Sequence, residues 1–538
     1  MSNRKEANAR EFFREYPVFV GMRSPIERPS KSPFTLIQNM YYNRESDSGG
    51  IESIPGYRKI FASEGKIHSM AIRQVEREKQ IIFHSGSGLY RLKLKDSSCE
   101  KIGSLANAQS RIFLFDKLCL ITDGQCLYSL APEGELTPIE GKDIAYCSSA
   151  TLFDGRLFLA VGGNIIYSEK LLGKDISFPE GNLTVIGSDI LSLLSHGGRL
   201  WAFTASDIIC LDSREGYPVY LSFSGVNPLG QAATLGSEII FLSREGLLAI
   251  ENPASRENIA IRNISEDILP HLCSESIAGA HLSVWQGYAL ICCGERILLC
   301  HRKRGESDCD WYILSGIGGH SGDRRVFRYS SEAEDGYSIH QKPDTRAEGE
   351  AISLKTEEGK TVYFVEEKGK KYAVYPTEER YGGSLLPAEI TVSDGQLLAF
   401  SAEGGIYLFN NGGQGDGLSE HSKSYYSFDG HAPVYLIRTE YDSIGLPVGE
   451  KSSEGESLYL KIKAPRAIPL TVTVSTDKGV ASIQRLTALP SEHNGCRILK
   501  VSERAHGWIE KQIEIEVSEY GSPFTLCSMA YKYRGNNN

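Results

Sequence analysis

No stretch of this 538-residue chain is apolar for long enough to cross a bilayer as a helix. The opening residues, Met1 to Asn8, lack the apolar core of a secretion signal. Membrane-embedded and exported proteins are therefore not expected. Cations are in the minority: 58 Lys and Arg stand against 68 Asp and Glu, a net charge of −10. A surface that grips nucleic acid needs clustered Lys and Arg, so the balance argues against a general nucleic-acid-binding surface. A conduit for DNA is not excluded, because an acidic wall repels phosphates and lets them slide. Cys-x-x-Cys pairs are missing. Of the twelve cysteines, many lie inside apolar runs, as at Cys119, Cys126, Cys210, Cys292 and Cys300, and read as buried, reduced fillers. Cys293, Cys300, His301 and Cys309 are close in sequence but lack the spacing of a structural zinc site, so no metal is expected. There is no Walker-type phosphate loop and no nucleophile elbow. His84, His196, His301 and His320 have no spaced partners. No cofactor is expected.

The chain does contain a repeat. Ile112 to Leu130 reads strand, break, strand, tight turn, strand. Similar text runs from Lys79 to Leu92, Phe153 to Ser168, His196 to Leu211, Gly236 to Ile250, Gly287 to Leu299 and Gly395 to Phe409. The first apolar residues after each break are Ile81, Leu118, Leu157, Leu200, Ile239, Tyr288 and Leu397, with steps of 37, 39, 43, 39, 49 and 109 residues. A period of about forty with one long interruption is the signature of propeller blades. A thin four-stranded blade buries neither face alone; radial packing covers both and leaves only short edges. The strands are accordingly apolar on both sides, and Asp-Gly, Gly-Gly and Glu-Gly occupy the turns. The fold class expected is all-β: a β-propeller, seven blades favoured over six, followed by a β-sandwich-like domain.

In chain order, residues 1–60 read as a helix from Glu6 to Tyr16, ended by Pro17, and an extended Pro- and Ser-rich arm lying on another molecule. Residues 61–428 hold the propeller. Its first blade is Ile67 to Arg73, Gln80 to His84, Leu89 to Leu94 and Glu100 to Leu105; the sixth ends at Trp311 to Leu314. An insertion at 315–386 carries a hairpin from Thr361 to Tyr375 around Lys368-Gly369. The seventh blade resumes at Ile390 and finishes near Tyr425 to Phe428; in the six-bladed reading one hairpin stays outside the ring. Residues 429–538 give longer alternating strands and turn signals, those of a small sandwich, although the final strand could instead close the ring.

Between Ser32 and Ile60 lies a recognisable series: Asn39-Met40-Tyr41, Gly49-Gly50-Ile51 and Pro55-Gly56-Tyr57-Arg58. It resembles the opening of the tail-hub, or packaged-DNA-stabilising, proteins of tailed bacteriophages, the β-propeller nozzle type. Tyr435 to Pro447, following a propeller, resembles them again. The resemblance implies a non-enzymatic virion protein, assembled in the host cytoplasm and residing in the tail. A self-assembled ring, a hexamer in that family, would extend the portal and neck channel, hold packaged DNA and pass it at infection without reading its sequence. Partners would be an upstream portal or adaptor protein and a downstream needle, fibre or spike. The arm and the insertion would make these contacts, so Arg23, Arg28, Arg324, Arg325, Tyr363 and Tyr372 are the expected contact residues.

Two other classes fit a propeller. A glycosidase needs two carboxylates facing across a sugar. Asp116, Asp154 and Asp207 recur near blade turns, where capping of backbone amides explains them. Ser475 to Gly479 matches half of an aspartate-box turn, occurs once, and reads as a plain hairpin. Trp201, Trp285 and Trp311 read as packing residues rather than a stacking platform. A WD or kelch scaffold needs repeated Gly-His and Trp-Asp, or Gly-Gly with spaced Tyr and Trp. Here Gly-His occurs only at Gly319 and Gly430, outside the blade register.

Overall fold

A computed structural model of the chain describes residues 10–16, 21–22, 33–42, 49–315 and 450–535 apart from short loop segments, together with 326–329, 352–355, 361–367, 370–377, 387–410, 426–428 and 433–443. The named elements of the described residues are strands and one 3-10 turn at Ile144–Tyr146. Glu6 to Tyr16, expected as a helix, gives strand β1 (Arg10–Tyr16), and the reason is tertiary. Phe12 stacks on Tyr533 and Tyr16 is buried, while Phe13 between them is 64% exposed. That is alternation with period two, imposed by pairing along the C-terminal strand.

Four short strands follow: β2 (Phe34–Gln38), β3 (Met40–Tyr42), β4 (Ile51–Ser53) and β5 (Tyr57–Ala62). Then come sheets of four antiparallel strands in chain order. The first is β6 (Ile67–Val75), β7 (Glu78–Ser85), β8 (Gly88–Lys93) and β9 (Cys99–Ser104). The second is β10 (Arg111–Phe115), β11 (Leu118–Thr122), β12 (Leu127–Leu130) and β13 (Leu136–Ile139). The third is β14 (Ser149–Phe153), β15 (Arg156–Val161), β16 (Asn164–Tyr167) and β17 (Leu183–Val185). The fourth is β18 (Ile190–His196), β19 (Arg199–Thr204), β20 (Asp207–Asp212) and β21 (Val219–Ser224). The fifth is β22 (Pro228–Leu235), β23 (Glu238–Ser243), β24 (Gly246–Glu251) and β25 (Ala260–Asn263). The sixth is β26 (His281–Trp285), β27 (Tyr288–Cys293), β28 (Arg296–Arg302) and β29 (Cys309–Leu314).

The architecture is all-β, with the repeated four-stranded sheets of a β-propeller. From the first sheet to the fifth, each gap between neighbouring sheets has its own apolar core, because adjacent residues of one strand serve opposite faces, while the gaps beside the sixth merge with the core of the C-terminal sheets. Cys119 and Ile121 pack with Ile82 and Leu89 of the first sheet, while Leu120 packs with Leu157 and Leu159 of the third. Ala202 packs with Ile165 behind it, and Trp201 and Phe203 with Ile239 and Phe241 ahead. Each such side chain contributes roughly 1.5–3 kcal/mol of burial. Outer strands are the most exposed, as β9 and β17 show. The exception is β29, buried throughout, because Met22 bridges to Trp311 and β2 lies alongside.

After β29 the chain forms a unit of its own over Gly319–Gly382. Its four strands, β30 (Val326–Tyr329), β31 (Ile352–Lys355), β32 (Thr361–Glu367) and β33 (Lys370–Thr377), are ordered β30-β33-β32-β31. The expected hairpin is β32–β33, with Glu367 opposite Lys370.

Sheet building resumes with β34 (Pro387–Ser393), β35 (Gln396–Ser401) and β36 (Gly405–Phe409). The fourth strand of this sheet is not the segment near Tyr425 to Phe428 but β5, from the other end of the sequence, with Gly405 opposite Ala62 and Phe409 opposite Tyr57. Phe428 instead bridges to Tyr57 and stacks on it. The innermost strands then touch in a closed cycle: β6, β10, β14, β18, β22, β26, β34 and back to β6.

The remaining strands are β37 (Tyr435–Thr439), β38 (Lys451–Lys463), β39 (Ile468–Thr476), β40 (Gly479–Ala488), β41 (Arg497–Trp508), β42 (Lys511–Val517) and β43 (Thr525–Gly535). They make two sheets whose inward residues, among them Leu460, Val501 and Met529 on one and Val472, Ile513 and Ile437 on the other, share one core. One sheet runs β3-β4-β43-β38-β41 with β1 also on β43; the other runs β2-β37-β42-β39-β40 and continues through β29 into the sixth blade-like sheet. The described N-terminal strands β1 to β4 are thus not helical and pair within the C-terminal sheets of the same chain, while the Pro- and Ser-rich arm lies outside the described residues apart from Gly21, Met22 and Pro33. The final strand β43 lies in these sheets and takes no part in the cycle.

Tyr57 is fully buried, with Phe428, Phe409 and Tyr407 rings 5.1, 5.2 and 5.8 Å from its own. Tyr57→Ala should lower the unfolding free energy by roughly 3–5 kcal/mol, read from urea denaturation; a change below about 1 kcal/mol would mean that the closing strand is not stabilised there.

Candidate functional site

The residues that carry the resemblance lie along the segment that leads from the C-terminal sheets into the cycle of blade-like sheets. Asn39 is buried and has φ 58°, a left-handed conformation that Asn tolerates better than most residues. Each of its polar groups is used. Its N–H donates to the Ile313 carbonyl (2.7 Å) and its own carbonyl accepts from the Ile54 N–H (3.0 Å). Its Oδ1 accepts from the Ser315 N–H (2.9 Å), and its Nδ2 donates to the Val434 carbonyl (2.8 Å). One residue therefore ties the end of β29 and the start of β37 through its side chain, and the end of β4 through its backbone carbonyl. Tyr41 packs between Trp285 and Tyr288. A Cβ on Gly50 would lie 2.1 Å from the Leu526 carbonyl oxygen, and one on Gly56 2.0 Å from that of Ser427. Backbone approaches that close admit only glycine.

Within the cycle, polar groups bridge neighbouring sheets. Buried Arg73 donates to the Ala131 and Pro132 carbonyls at 3.1 and 3.2 Å. Arg199 reaches the Ser255 and Pro253 carbonyls at 2.7 and 3.1 Å. Arg302 pairs with Glu238 at 2.9 Å and with Glu251. His84 and Ser110 form a Ser–His contact that invites comparison with a catalytic pair: Nδ1 to Oγ is 2.7 Å, and Ser110 meets Ser69 at 2.5 Å. Burial, helped by neighbouring His68, holds the His84 imidazole down at about 4, so it is neutral at pH 7. With His84 wholly buried, no substrate reaches the pair, and it acts as a tie between two sheets.

The turn chemistry also differs from expectation. Asp154 pairs with Lys170 instead of capping amides, Asp207 donates its N–H to Thr204 Oγ1, and Asp116 lies outside the described residues. A capping carboxylate of a blade turn is Asp123, which accepts N–H bonds from Gln125, Cys126 and Ala106, each at 2.9 Å. Ser475 to Gly479 is the β39–β40 hairpin, and Asp477 accepts the Ile509 and Glu510 amides. Trp201, Trp285 and Trp311 are all core residues. Burial and the neighbouring Cys309 push the Cys300 thiol well above its ordinary value. Among the described residues no three His, Cys, Asp or Glu side chains gather as metal ligands.

A charged group that pattern reading missed lies inside the C-terminal sheets. Lys511 of β42 and Glu503 of β41 are buried and paired, and Tyr531 of β43 bonds to both. The Lys511 Nζ also donates to Ser453 Oγ (3.1 Å) and sits 4.2 and 4.1 Å from the Trp508 and Tyr531 rings. Burial brings Lys511 down to about 8, against the pull of Glu503. The signal was available: Glu503 alternates in phase with buried Val501 and Ala505, and Lys511 with Ile513 and Ile515.

Of the expected contact residues, Arg23, Arg28, Arg324 and Arg325 lie outside the described residues. Tyr363 and Tyr372 fall on the paired strands β32 and β33, opposite Val374 and Val365 respectively. Tyr372 is half-buried. The structure thus brings these two tyrosines onto one hairpin.

No family model and no curated protein matches this chain. Among solved structures it is similar to the AfRom2 CNH domain, at 11% identity over 61% of this chain and 99% of that one, with a TM-score of 0.34. It is similar also to the Neurospora crassa Pan2 WD40 domain, at 9% identity over 63% and 98%, with a TM-score of 0.32. A third is Kluyveromyces lactis Hsv2, at 13% identity over 45% and 83%, with a TM-score of 0.30. These values bear on neither function nor blade number.

Two outcomes follow from the geometry. Asn39→Gly keeps the backbone but loses the side-chain bonds, whereas Asn39→Ala adds left-handed strain. Both should destabilise in urea, Ala by about 1 kcal/mol more than Gly; equal losses would remove the conformational argument. Lys511 binds its proton less tightly folded, at about 8, than at the ordinary lysine value of 10.5. Between these values the unfolded chain holds more protons, so this lysine makes stability rise with pH, while below 8 its full penalty stands. Thiols and phenols raised by burial act oppositely at the alkaline end. The wild-type slope minus the Lys511→Met slope, from urea midpoints between pH 8 and 10, should therefore be positive; equal slopes would refute it.

Proposed function

We propose that this chain is a structural virion protein, a tail hub or nozzle of a tailed phage, without enzymatic activity. The observation that carries the reading is the segment between the C-terminal sheets and the cycle. The residues that resemble the family's opening, Asn39 to Tyr41, Gly49 to Ile51 and Pro55 to Arg58, are those that lead from the C-terminal sheets into the closing strand. A motif tied to that one architectural task is expected of a shared build rather than of chance likeness.

In this reading the six complete sheets and the β34-β35-β36-β5 sheet are seven blades of a propeller, and the two C-terminal sheets form a sandwich beside it. Copies assemble into a ring, six as in the family, that extends a portal and neck channel. The net charge of −10 suits a bore along which DNA slides instead of sticking. Upstream lies a portal or adaptor protein, downstream a needle, fibre or spike. The separate unit at Gly319–Gly382, with Tyr363 and Tyr372 on its hairpin and Arg324 and Arg325 in its leading segment, is the contact element, as long insertions on repeat scaffolds commonly are. The protein resides in the virion tail after assembly in the host cytoplasm.

The test is the oligomeric state of the full chain. Mass photometry and negative-stain images should give rings of six 59.4 kDa copies, and Arg324→Glu with Arg325→Glu should dissolve them. A strict monomer at tens of micromolar would favour a single-copy scaffold, and rings unchanged by the double reversal would remove the insertion from the interface.

A further inference from the structure

Two thiols in the C-terminal sheets stand apart from the rest. Cys496 Sγ lies 3.2 Å from Cys527 Sγ. Cys496 immediately precedes β41. Cys527 is the odd residue of a bulge in β43, where Lys461 of β38 faces Ser528 and the next residue, Ile462, faces Leu526. The bulge leaves Cys527 without a rung of its own on β38. Strand β38 separates β41 from β43, so the two side chains meet beyond their own hydrogen-bonded neighbours.

We propose that Cys496 and Cys527 form a disulfide under oxidising conditions, a covalent strap between β41 and β43. The sulfurs need to close from 3.2 Å to about 2.05 Å, and Cys496 lies outside regular strand pairing, where the backbone can adjust. Both residues are partly exposed, which admits a small oxidant, whereas Cys119, Cys147, Cys210, Cys292, Cys293, Cys300 and Cys309 are buried. Cys300 and Cys309 are a built-in comparison: they lie on adjacent paired strands but are sealed in the interior.

The chemistry balances with glutathione disulfide as oxidant. One cysteine thiolate attacks it, forming a mixed disulfide and expelling one glutathione thiolate. The second cysteine, deprotonated in turn, attacks the mixed disulfide and expels the second glutathione. Two protein thiols become one S–S bond, and one glutathione disulfide becomes two glutathiones. Burial and the adjacent Cys496 thiol hold the Cys527 thiol up at about 12, against Lys461 and Lys463, so oxidation is expected to be faster at alkaline pH. The strap would hold β43, on which β1 and β4 both pair, and would close the chain between residues 496 and 527, constraining the unfolded state. It is independent of the functional reading above.

The experiment uses the full-length chain in glutathione buffers, quenched by acid, with mass mapping under denaturing conditions. Oxidation should remove two thiols and lower the mass by about 2 Da, with the Cys496 and Cys527 peptides linked and Cys300 and Cys309 still alkylatable. The oxidised form should show at least a tenfold lower unfolded fraction at the reduced form's urea midpoint. Cys496→Ser should abolish both changes, and mapping on the wild type serves if that variant does not fold. All thiols alkylatable after oxidation, or linkage confined to other pairs, would overturn the proposal.

Discussion

The pairing of β5 with β36 is the constraint on which the architecture depends. Without it the last sheet would have three strands and an open edge beside the first. With it, the first and last sheets pack through Ile406 and Leu408 against Ile67, Ile81 and Phe83, and the inner strands complete their cycle. Closure by a strand from the far end of the sequence turns a linear stack, whose end sheets would each expose an apolar face, into a ring with no end. The same strand also leads from the C-terminal sheets, so the two parts share one entry point. Asn39 and Tyr57 are the residues that secure it, one by hydrogen bonds and the other by ring packing.

Closure also explains why so many buried polar groups lie between sheets. Apolar packing is non-directional and would tolerate sliding of one sheet against the next. Arg73, Arg199 and Arg302 each reach a specific oxygen on a neighbour and set its register. Asp123 acts similarly, gripping its own turn and the Ala106 amide of the preceding connection. Glu503, Lys511 and Tyr531 play this part in the C-terminal sheets, bonding across from one to the other. Breaking such a group leaves a buried charge uncompensated, which ties correct alignment to stability.

Much of this was readable in the chain. The forty-residue period and the two-sided apolar strands gave the sheets nearly to the residue: Ile67 to Arg73 falls within β6 and Leu89 to Leu94 is β8 shifted by one. The insertion and its hairpin at Lys368 and Gly369 were legible because Gly and charge interrupt the apolar pattern. The closing strand was not, since nothing in Tyr57 to Ala62 says that its partner lies some 340 residues away. The helix at Glu6 to Tyr16 failed for a related reason: its charges and paired phenylalanines suit an amphipathic helix, but β43 supplies the hydrogen bonds and a groove for Phe12. The contact residues were chosen by chemistry and by resemblance, and four of the six fall outside the described residues. The interior charges were legible only through phase, Glu503 with Val501 and Ala505 and Lys511 with Ile513 and Ile515, and residue type alone points such side chains to water.

The chain's topology also dictates a timetable. On the ribosome, β5 emerges long before β36, and β1 before β43, whose Gly535 faces Arg10. The nascent N-terminal strands carry exposed backbone edges while several hundred residues are translated. A cell making this protein in quantity must therefore shield Arg10 to Ala62 from the same region of neighbouring nascent chains.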